Sequence, residues 1–317
     1  MSPSFIVNGA TPTMKDYDLV VVGAGVAGLT AAMFAGRYGL KVVVVDRMGA
    51  GGQIINAERI ENWPGFPGGI GGHELGPLLH EQAEVAGAEI FLDTIEAIEL
   101  AGEHRIVRGA GDMWRARSVI IAAGSAPRPL GIPGEEEFSG KGVSHCASCD
   151  GAFFVRRDVC VIGGGDSALD EALVLADHVA HVTVFHRGAS LDAQQVLRDQ
   201  IASNRKIEVV LDTVVEEILG EGAVTGMRLR AAGVTRLHKT DGVFIYVGLA
   251  PNTAFLRDLV ALDAAGHIET DANLRTSVEG IFAAGDIRKF SVAQLAAAAG
   301  DGATAAIAAY RYLARRD

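Results

Sequence analysis

Apolar and polar positions near the start of the chain follow the order strand, turn, helix, strand. Residues 17–22 form an apolar, β-rich run, and a glycine-rich turn at residues 23–28 follows at once. An alanine-rich stretch then continues to about Tyr38, and residues 41–45 form a second apolar run that ends at Asp46. Short apolar runs bounded by glycine predict strands, whereas the longer alanine-rich stretch predicts a helix. The pattern therefore predicts a βαβ unit.

The turn of this unit has the chemistry of a dinucleotide site. Glycine lets the backbone turn tightly and approach a pyrophosphate, and the N-terminus of the following helix faces the negative charge. Asp46 lies 18 residues after Gly28, where a carboxylate can accept hydrogen bonds from both ribose hydroxyls. A lone GxGxxG sequence is weak evidence, but here strand, turn, helix, strand and acid occur in order. They predict a bound dinucleotide at Gly23, Gly25, Val26, Ala27, Gly28 and Asp46.

The same order recurs in the middle of the chain. Residues 158–162 form an apolar run, residues 163–168 a second glycine-rich turn, residues 169–176 a helical stretch, and residues 181–185 another apolar run. This second unit ends in a histidine and an arginine instead of an acid. Two units at this spacing predict two nucleotide-binding domains, not one domain with an internal repeat.

Two segments rich in proline and glycine divide the chain. Residues 126–134 are unsuited to a helix or a central strand, and residues 248–252 interrupt the chain after a predicted strand at residues 242–247. The second glycine turn lies between them. The sequence therefore predicts an α/β fold with two Rossmann-like domains of the three-layer ββα type, the second inserted into the first. The predicted domains are residues 1–125 with 249–317, and residues 126–248.

The composition narrows the classes of function. Of 317 residues, 49% are apolar, enough to fill two cores, and 28 basic against 39 acidic residues give a net charge of −11. Such a charge argues against nucleic acid or an anionic membrane as the main partner. The apolar run at residues 19–22 is far too short to span a bilayer, and residues 1–15 lack the features of a signal peptide. We expect a cytoplasmic protein.

The cysteines indicate redox chemistry. Cys146 and Cys149 form a Cys-x-x-Cys sequence followed by Asp150, and this spacing lets the two sulfurs reach bonding distance. Disulfide exchange needs a thiolate attacker and a second thiol that resolves the mixed disulfide, and Asp150 is placed to move a proton on and off the sulfurs. A helix that starts within residues 151–156 would lower the pKa of the first thiol. Cys160 lies within a predicted strand, where we expect a small core residue.

Two other interpretations of the cysteine pair stay open at this point. A zinc site needs four ligands, whereas His145, Cys146 and Cys149 supply three and the chain has no second Cys-x-x-Cys. A buried pair of thiols without function is the second alternative. We expect redox chemistry and no bound metal.

Together these motifs resemble those of the low-molecular-weight bacterial thioredoxin reductases. The resemblance extends over residues 16–314. It rests on an ordered set of motifs: the two glycine turns, the Cys-x-x-Cys with its aspartate, and four further segments. Those segments are Gly51-Gly52-Gln53, Glu61-Asn62-Trp63-Pro64-Gly65, Ala122-Ala123-Gly124 and Gly280-Ile281-Phe282-Ala283-Ala284-Gly285-Asp286.

The resemblance implies two nucleotides. FAD would lie on the first turn with Asp46 at its adenosine ribose, and the positive end of a C-terminal helix would face the flavin pyrimidine. NADH or NADPH would lie on the second turn. The implied FAD residues are Gly23, Gly25, Val26, Ala27, Gly28, Asp46, Gly52, Gln53, Asn62, Ala123, Gly124, Gly285, Asp286, Gln294 and Leu295. The implied NAD(P)H residues are Gly163, Gly165, Asp166, Ser167, Ala168, His186 and Arg187.

The resemblance also implies catalytic roles and partners. Cys149 would be the sulfur nearest the flavin, Cys146 would attack the disulfide of thioredoxin or a similar protein, and Asp150 would act as acid and base. Thioredoxin would dock at Phe153, with Lys141 as a basic contact. In this family the inserted domain rotates, so that the flavin meets the dithiol and the nicotinamide alternately. The family is homodimeric, and we expect a homodimer here.

The chain departs from its family at the nicotinamide nucleotide site. Members that use NADPH typically carry two arginines after the histidine and a third four residues later, whereas this chain has Arg187, Gly188 and Asp192. An anion in place of a cation disfavours a 2′-phosphate, but no acid ends the strand to favour NADH. Asp166 stands where the family usually has asparagine, and Ala293 where it often has arginine. The sequence therefore leaves the choice between NADH and NADPH open.

Three hypotheses on function follow. The first is a flavin-dependent reductase that uses NADH or NADPH to reduce thioredoxin or a similar disulfide protein. The second, motivated by the altered phosphate site, is an FAD-dependent dithiol oxidase or a ferredoxin-fed disulfide reductase that does not use NADPH. The third is a redox-sensing flavoprotein that binds a partner without turnover. A ferredoxin–NADP reductase is disfavoured because such proteins lack the Cys-x-x-Cys.

Overall fold

The computed structural model describes residues 14–256 and 258–316, and these form two compact units. The outer unit comprises the described chain up to Ser125 and from Pro251 onward, and the inserted unit is Ala126–Ala250. Where the chain passes between the units, two short strands pair as a separate two-stranded sheet.

The strands and helices have the following bounds. The strands are β1 Met14–Val22, β2 Val42–Asp46, β3 Glu89–Leu92, β4 Ile95–Ala101, β5 His104–Gly109, β6 Met113–Ile121, β7 Ser125–Pro127, β8 Val143–Ser144, β9 Asp158–Ile162, β10 His181–Phe185, β11 Ile207–Val210, β12 Thr213–Gly220, β13 Val224–Ala231, β14 Val234–Lys239, β15 Gly242–Ile245, β16 Leu249–Pro251 and β17 Ile281–Ala283. The helices are α1 Val26–Arg37, α2 Gly72–Val85, α3 Ala147–Asp150, α4 Asp166–His178, α5 Gln195–Ser203 and α6 Leu295–Leu313. Short 3₁₀ helices lie at Gly52–Asn56, Gly151–Phe154, Ala254–Leu256 and Gly285–Ile287.

The outer unit is built on a seven-stranded sheet of order β3-β2-β1-β6-β5-β4, with β17 also paired to β6. Strands β3, β2, β1, β6 and β17 run parallel, whereas β5 is antiparallel to β4 and β6. Central parallel strands are covered on both faces, so they consist of continuous apolar runs. Residues 19–22 of β1 and 42–45 of β2 are such runs, and all are buried.

Helices α1 and α6 share one apolar core on this sheet. Their approach is close because Gly302 of α6 has no side chain: a Cβ there would lie 2.2 Å from the carbonyl oxygen of Ala27. Nearly every residue of the first turns of α1 is buried. This packing fixes the start of α1 directly after the first glycine turn.

The inserted unit has three layers. A parallel sheet of order β11-β10-β9-β15-β8 lies in the middle, and the antiparallel strands β12-β13-β14 form a second sheet. One core cluster joins α4 to the parallel sheet, and another joins that sheet to β12 and β13. The central strand β9 leads straight into the second glycine turn.

Most predicted elements occur, with shifts at their ends. The strands predicted at residues 158–162 and 181–185 have those bounds, while the strand predicted to reach residue 247 ends at Ile245. The sequence from near Val292 to the end is rich in alanine with little charge before Arg311 and predicts a buried helix, and the helix begins at Leu295. Its buried residues lie from Gly302 onward, so the prediction of a buried helix holds for its later turns.

The predictions on membrane insertion and on secretion concern different parts of the chain. Across residues 14–256 and 258–316, no helix combines the length and the apolar character needed to cross a bilayer. The prediction that residues 1–15 do not form a signal peptide concerns mainly residues 1–13, which lie outside the described part of the chain.

Candidate active site and nucleotide-binding turns

The two cysteines of the Cys-x-x-Cys are joined in a disulfide within the inserted unit. The S–S distance is 2.08 Å and the Cα atoms are 5.3 Å apart. Cys146 is the N-cap of α3, and its sulfur accepts the backbone N–H of Cys149 at 3.2 Å. The short helix predicted within residues 151–156 occurs as a 3₁₀ helix at Gly151–Phe154. A helical turn that was not predicted precedes it and begins at Ala147, because the chain turns within the Cys-x-x-Cys.

Asp150 is held next to this disulfide by Ser144, the last residue of β8. The Ser144 hydroxyl donates to the Asp150 carboxylate at 2.6 Å and accepts the backbone N–H of Cys146 at 3.1 Å. Asp150 is half-buried, while Cys149 is exposed. The structure thus brings all three predicted catalytic residues together. Ser144 was not predicted, although its position two residues before Cys146 is a signal for a local contact.

Two further polar side chains contact the backbone of the cysteine segment. Glu171 of α4 accepts the N–H of Ala147 at 2.9 Å, and the Tyr246 hydroxyl accepts the same N–H at 3.0 Å. Burial raises the pKa of the Glu171 carboxyl, against hydrogen bonds that lower it. Burial also raises the pKa of the Tyr246 phenol. Neither residue was predicted from the sequence. Helical spacing offers a signal for Glu171, which lies three residues after the buried Ala168 in α4.

The remaining residues around the dithiol have separate positions. His145 is exposed, and its Nδ1 lies 3.1 Å from the carbonyl oxygen of Ile245. Phe153 is 79% exposed, and Lys141 is exposed as well. Cys160 is free and buried, and burial raises the pKa of its thiol to about 12, which makes it inert. Within the described residues, no group of three or more His, Cys, Asp or Glu side chains could hold a metal ion.

The first glycine turn is shaped to receive a phosphate. A Cβ at Gly23, whose φ is +109°, would lie 2.3 Å from the carbonyl oxygen of Ala122, and one at Gly28 would lie 1.8 Å from that of Gly23. Both positions therefore require glycine to close the turn. At Gly25, the N-cap of α1, no atom lies within 4 Å of a Cβ. The open side at Gly25 is the space that a pyrophosphate fills in such turns.

Asp46, at the end of β2, ties this turn to the next loop. Its Oδ2 accepts the N–H of Ala24 at 2.8 Å, and its Oδ1 accepts those of Met48 at 2.7 Å and Gly49 at 2.9 Å. A carboxylate oxygen can accept more than one hydrogen bond, so both oxygens keep capacity for ribose hydroxyls. The turn and its acid fit the adenosine and pyrophosphate of a dinucleotide.

The other predicted flavin residues lie within the same unit and pair among themselves. Asn62 donates from Nδ2 to Oε1 of Gln294 at 3.1 Å, directly before Leu295 begins α6. Gln53 donates to the carbonyl oxygen of Ser125. Gly52 approaches Gly25, with a Cβ position 3.1 Å from its Cα.

The segment before α6 completes this group. Asp286 accepts a hydrogen bond from the Ser291 hydroxyl at 3.1 Å, and burial raises the pKa of its carboxyl. The N–H of Gly285 donates to Asp301 at 3.0 Å. The carbonyl oxygens of Ala123 and Gly124 accept hydrogen bonds from Asn252 at 2.8 and 3.0 Å. The buried Ser125 hydroxyl has no partner in the described structure, so this region offers an unused donor to a ligand.

The second glycine turn repeats this geometry in the inserted unit. Gly163 has a φ of +148°, and a Cβ there would lie 2.2 Å from the carbonyl oxygen of Tyr246. At Gly165, the N-cap of α4, the nearest atom to a Cβ is 3.9 Å away, so this side is open too. Ser167 is exposed and Ala168 is buried in the first turn of α4.

A carboxylate lies at the start of α4 beside that open side. Asp166 accepts the backbone N–H of Gln194 at 2.8 Å and its side-chain amide at 2.7 Å. The loop is held further by the N–H of Asp192, which donates to the carbonyl oxygen of Gly164 at 2.8 Å. This arrangement places the carboxylate of Asp166 and the backbone of Asp192 at the turn.

Two basic residues, His186 and Arg187, are predicted at the second turn. The His186 ring lies against the turn, since a Cβ at Gly164 would be 2.3 Å from its Nδ1, while Arg187 is exposed. The turn fits a nicotinamide dinucleotide in shape, but the surrounding charges fit a 2′-phosphate poorly.

Comparison with known proteins places these sites in context. The pyridine nucleotide-disulphide oxidoreductase family matches residues 17–302. A thioredoxin reductase of Listeria monocytogenes is 42% identical over 302 residues, which cover 94% of this chain and 94% of that protein. The crystal structure of Lactococcus lactis thioredoxin reductase has a TM-score of 0.92 and 40% identity, covering 94% of this chain and 99% of that one. For T. acidophilum thioredoxin reductase the TM-score is 0.90 and the identity 38%, with 94% and 98% covered. The predicted α/β fold with two Rossmann-like domains is confirmed.

Proposed function

The chain belongs to the pyridine nucleotide-disulphide oxidoreductase family and is an oxidoreductase of the thioredoxin reductase type, and on that premise we propose that it uses a nicotinamide nucleotide to reduce thioredoxin or a similar disulfide protein. The resemblance drawn from the motifs is thereby confirmed. One observation carries the proposal: Cys146 and Cys149 form a disulfide beside Asp150, in the unit that holds the second glycine turn.

The outer unit is the proposed FAD-binding domain. Its first glycine turn would hold the pyrophosphate, Asp46 the adenosine ribose, and the paired Asn62 and Gln294 the region of the flavin. When bound, FAD would supply a carrier for the electron pair between the nicotinamide nucleotide and the cysteine pair.

The residues of the inserted unit account for the exchange with a partner. In the reduced protein, the Cys146 thiolate attacks one sulfur of the partner disulfide and releases the other as a thiolate. Cys149 then attacks Cys146, which re-forms the internal disulfide and frees the partner as a dithiol. The two protons that leave the enzyme thiols end on the partner, and Asp150, oriented by Ser144, is placed to transfer them. The exposed Phe153 is the proposed docking contact for the partner. Lys141, five residues before Cys146 in the sequence, is the proposed basic contact.

For the nicotinamide nucleotide, we propose NADH ahead of NADPH. Arg187 is the one cation that remains of the three that grip a 2′-phosphate in the family, and Asp192 adds a negative charge near that position. The residues proposed to bind the nucleotide are Gly163, Gly165, Asp166, Ser167, Ala168, His186 and Arg187.

An anaerobic titration tests this function. We expect the purified protein to be yellow, NADH to bleach the flavin band within minutes, and oxidised thioredoxin to restore it. Cys146→Ser keeps the bleaching by NADH but loses the return of colour with thioredoxin. Failure of both NADH and NADPH to bleach the flavin contradicts the proposal.

The Asp166 contacts favour a second candidate. A carboxylate held at the start of α4 repels a pyrophosphate, which suits a flavin-dependent disulfide reductase fed by ferredoxin, or a dithiol oxidase that uses oxygen. Bleaching by reduced ferredoxin alone supports the first form, and rapid oxygen consumption with a dithiol substrate supports the second. A redox sensor without turnover, the third hypothesis, predicts that Cys146→Ser leaves partner binding intact.

Assembly and location extend the proposal. We propose a homodimer on the family resemblance, and the outer unit exposes apolar side chains that an interface can cover, among them Met48, Ile55 and Phe66. Light scattering of the purified protein measures its mass in solution and so tests the proposed homodimer. A cytoplasmic location agrees with a redox-active cysteine pair and a free Cys160 in the same unit.

A further inference from the structure

A half-buried carboxylate and a half-buried phenol lie against the backbone between the two cysteines. Glu171 and Tyr246 both accept the N–H of Ala147, which is fully buried. The Tyr246 hydroxyl donates to the Glu171 carboxylate, and the backbone of Ser148 is hydrogen-bonded to that carboxylate as well. Glu171 comes from α4, 24 residues away in sequence, and Tyr246 from the end of β15, 99 residues away.

The backbone donors of this turn are divided between two acceptors. The N–H groups of Ala147 and Ser148 serve Glu171, whereas the N–H of Cys149 serves the sulfur of Cys146 at 3.2 Å. Burial raises the pKa of the Glu171 carboxyl, whereas its three donors, the N–H groups of Ala147 and Ser148 and the Tyr246 hydroxyl, stabilise the ionised form. A thiolate at Cys146 therefore forms beside a carboxylate that already holds two of the three donors.

This division acts on the balance between disulfide and dithiol. Reduction breaks the S–S bond and takes up two electrons, with two protons when both sulfurs end as thiols and one when Cys146 ends as a thiolate. A neighbouring negative charge disfavours the ionised product but not the neutral disulfide. Stabilising the reduced form makes a pair more oxidising, so disfavouring it makes the dithiol a stronger reductant.

We propose that Glu171 is a positioning residue that sets the reducing strength of the Cys146–Cys149 pair through the charge of its carboxylate, while Tyr246 shares the N–H of Ala147 with it. A tuned reducing strength serves the delivery of electrons to a partner disulfide, and this part of the inference rests on the proposed function. The setting itself is a property of the inserted unit and is measurable without thioredoxin or a nicotinamide nucleotide.

Other titratable groups face the same segment and stay constant in the comparison. Asp150 is bonded to Ser144, and His145 lies against Ile245. On α4, Asp170 adjoins Glu171, and the ring of His178 is 3.7 Å from a Cβ position at Gly151.

The test compares the full-length, FAD-loaded protein with E171Q in dithiothreitol redox buffers at about pH 8.5, where thiolates are populated. Dithiothreitol passes two electrons and two protons to the disulfide and closes to its own cyclic disulfide. Acid quenching, alkylation and mass spectrometry count the reduced cysteines. We expect E171Q to shift the exchange constant about tenfold toward the dithiol, equal to about 30 mV. D177N, an exposed charge change on the same helix, is the matched control and stays at the wild-type value.

A second readout follows the thiol itself. The alkylation rate of Cys146 in the reduced protein rises with pH as its thiolate forms, and we expect the midpoint of E171Q to lie about one pH unit below that of the wild type. E171D keeps the charge and is expected to restore the wild-type midpoint. Equal midpoints and equal exchange constants in a folded E171Q overturn the proposal.

The Y246F variant separates the effect of the Glu171 charge from the effect of a hydrogen bond to the backbone of Ala147. It removes a contact to Ala147 but keeps the carboxylate, so we expect an exchange constant equal to that of the wild type or further from the dithiol. A tenfold shift toward the dithiol in Y246F contradicts the proposal, and this arm decides the matter if E171Q does not fold. If the wild-type cysteine pair does not exchange with dithiothreitol at all, the proposed function is contradicted as well. If the wild type is active and E171Q has the wild-type exchange constant, only the proposed role of Glu171 is contradicted.

Discussion

The Ser144 hydroxyl donates to the Asp150 carboxylate over 2.6 Å, from the end of β8 to the end of α3. The same hydroxyl accepts the N–H of Cys146 at 3.1 Å, so one short side chain connects the proposed proton donor to the attacking cysteine. Its orientation is fixed from both sides, because Ser144 is buried within the strand that pairs with β15. The Asp150 carboxylate is therefore held in a set position one hydroxyl away from the backbone N–H of Cys146.

We expect Asp150→Asn to lower kcat for reduction of a protein disulfide by about 100-fold or more, because an amide cannot move protons on and off the sulfurs. Ser144→Ala leaves the acid but frees its orientation, and we expect a loss of about tenfold. Steady-state reduction of thioredoxin measures both. Flavin bleaching by NADH stays at the wild-type rate in each, and Ser203→Ala, on an exposed helix, is the control. A wild-type kcat in D150N contradicts the assigned role.

The local chemistry of these sites could be predicted from the sequence, but their long-range contacts could not. Each βαβ unit can be recognised because its apolar strands, glycine turn and helical stretch lie within about 30 residues of one another. The contact between Asn62 and Gln294 spans 232 residues, and that between Ala147 and Tyr246 spans 99. No periodicity within one element encodes such pairings, since they follow from which strands become neighbours. The cofactor roles of the predicted residues stay predictions.

The two open glycines offer a paired test of which nucleotide each turn binds. Neither Gly25 nor Gly165 has an atom within 3.4 Å of a Cβ, so alanine at either position keeps the fold and places a methyl group toward the phosphate. We expect G25A to elute without FAD, while G165A stays yellow and its KM for NADH rises about tenfold or more. Absorbance of the eluted proteins and steady-state kinetics check both.

In contrast, Gly28→Ala is expected to prevent folding of the turn, because its Cβ would lie 1.8 Å from the carbonyl oxygen of Gly23. Retention of FAD by G25A with wild-type affinity places the pyrophosphate elsewhere.

Asp46→Ala is expected to weaken FAD binding about tenfold or more, because a charge-assisted hydrogen bond to a ribose hydroxyl is worth roughly 1.5–3 kcal/mol. Titration of the apoprotein with FAD, followed by quenching of flavin fluorescence, measures this loss. Asp271→Ala is the matched control, since Asp271 also accepts two backbone N–H groups in a turn, those of Asn273 and Arg275. An equal loss of FAD in both variants assigns the effect to stability and not to binding.

Asp192→Arg is expected to raise the kcat/KM for NADPH relative to that for NADH by about tenfold, because it changes the local charge by two units near the expected 2′-phosphate. Asp199→Arg makes the same change of charge on the exposed side of α5 and is expected to leave the ratio unaltered. The salt dependence of the ratio gives a further check, since a screened charge effect declines at high ionic strength. An unchanged ratio in D192R places the adenosine ribose away from this loop.

The stability of the fold should depend on pH through Glu171. Burial raises the pKa of this carboxyl above its ordinary 4.5, so the folded state holds the proton more tightly than the unfolded chain. Its contribution to stability is complete below about pH 4.5 and is lost as the pH rises through the raised pKa. E171Q does not titrate, so the free energy of unfolding of the wild type should fall relative to that of E171Q between pH 4 and pH 8. Urea unfolding of both proteins with matched FAD content measures the difference. D177N, which removes an exposed carboxyl from the same helix, should not reproduce it. A difference that grows in the opposite direction would mean that the amide donors of Ala147 and Ser148 outweigh burial and hold the pKa of Glu171 below its ordinary value.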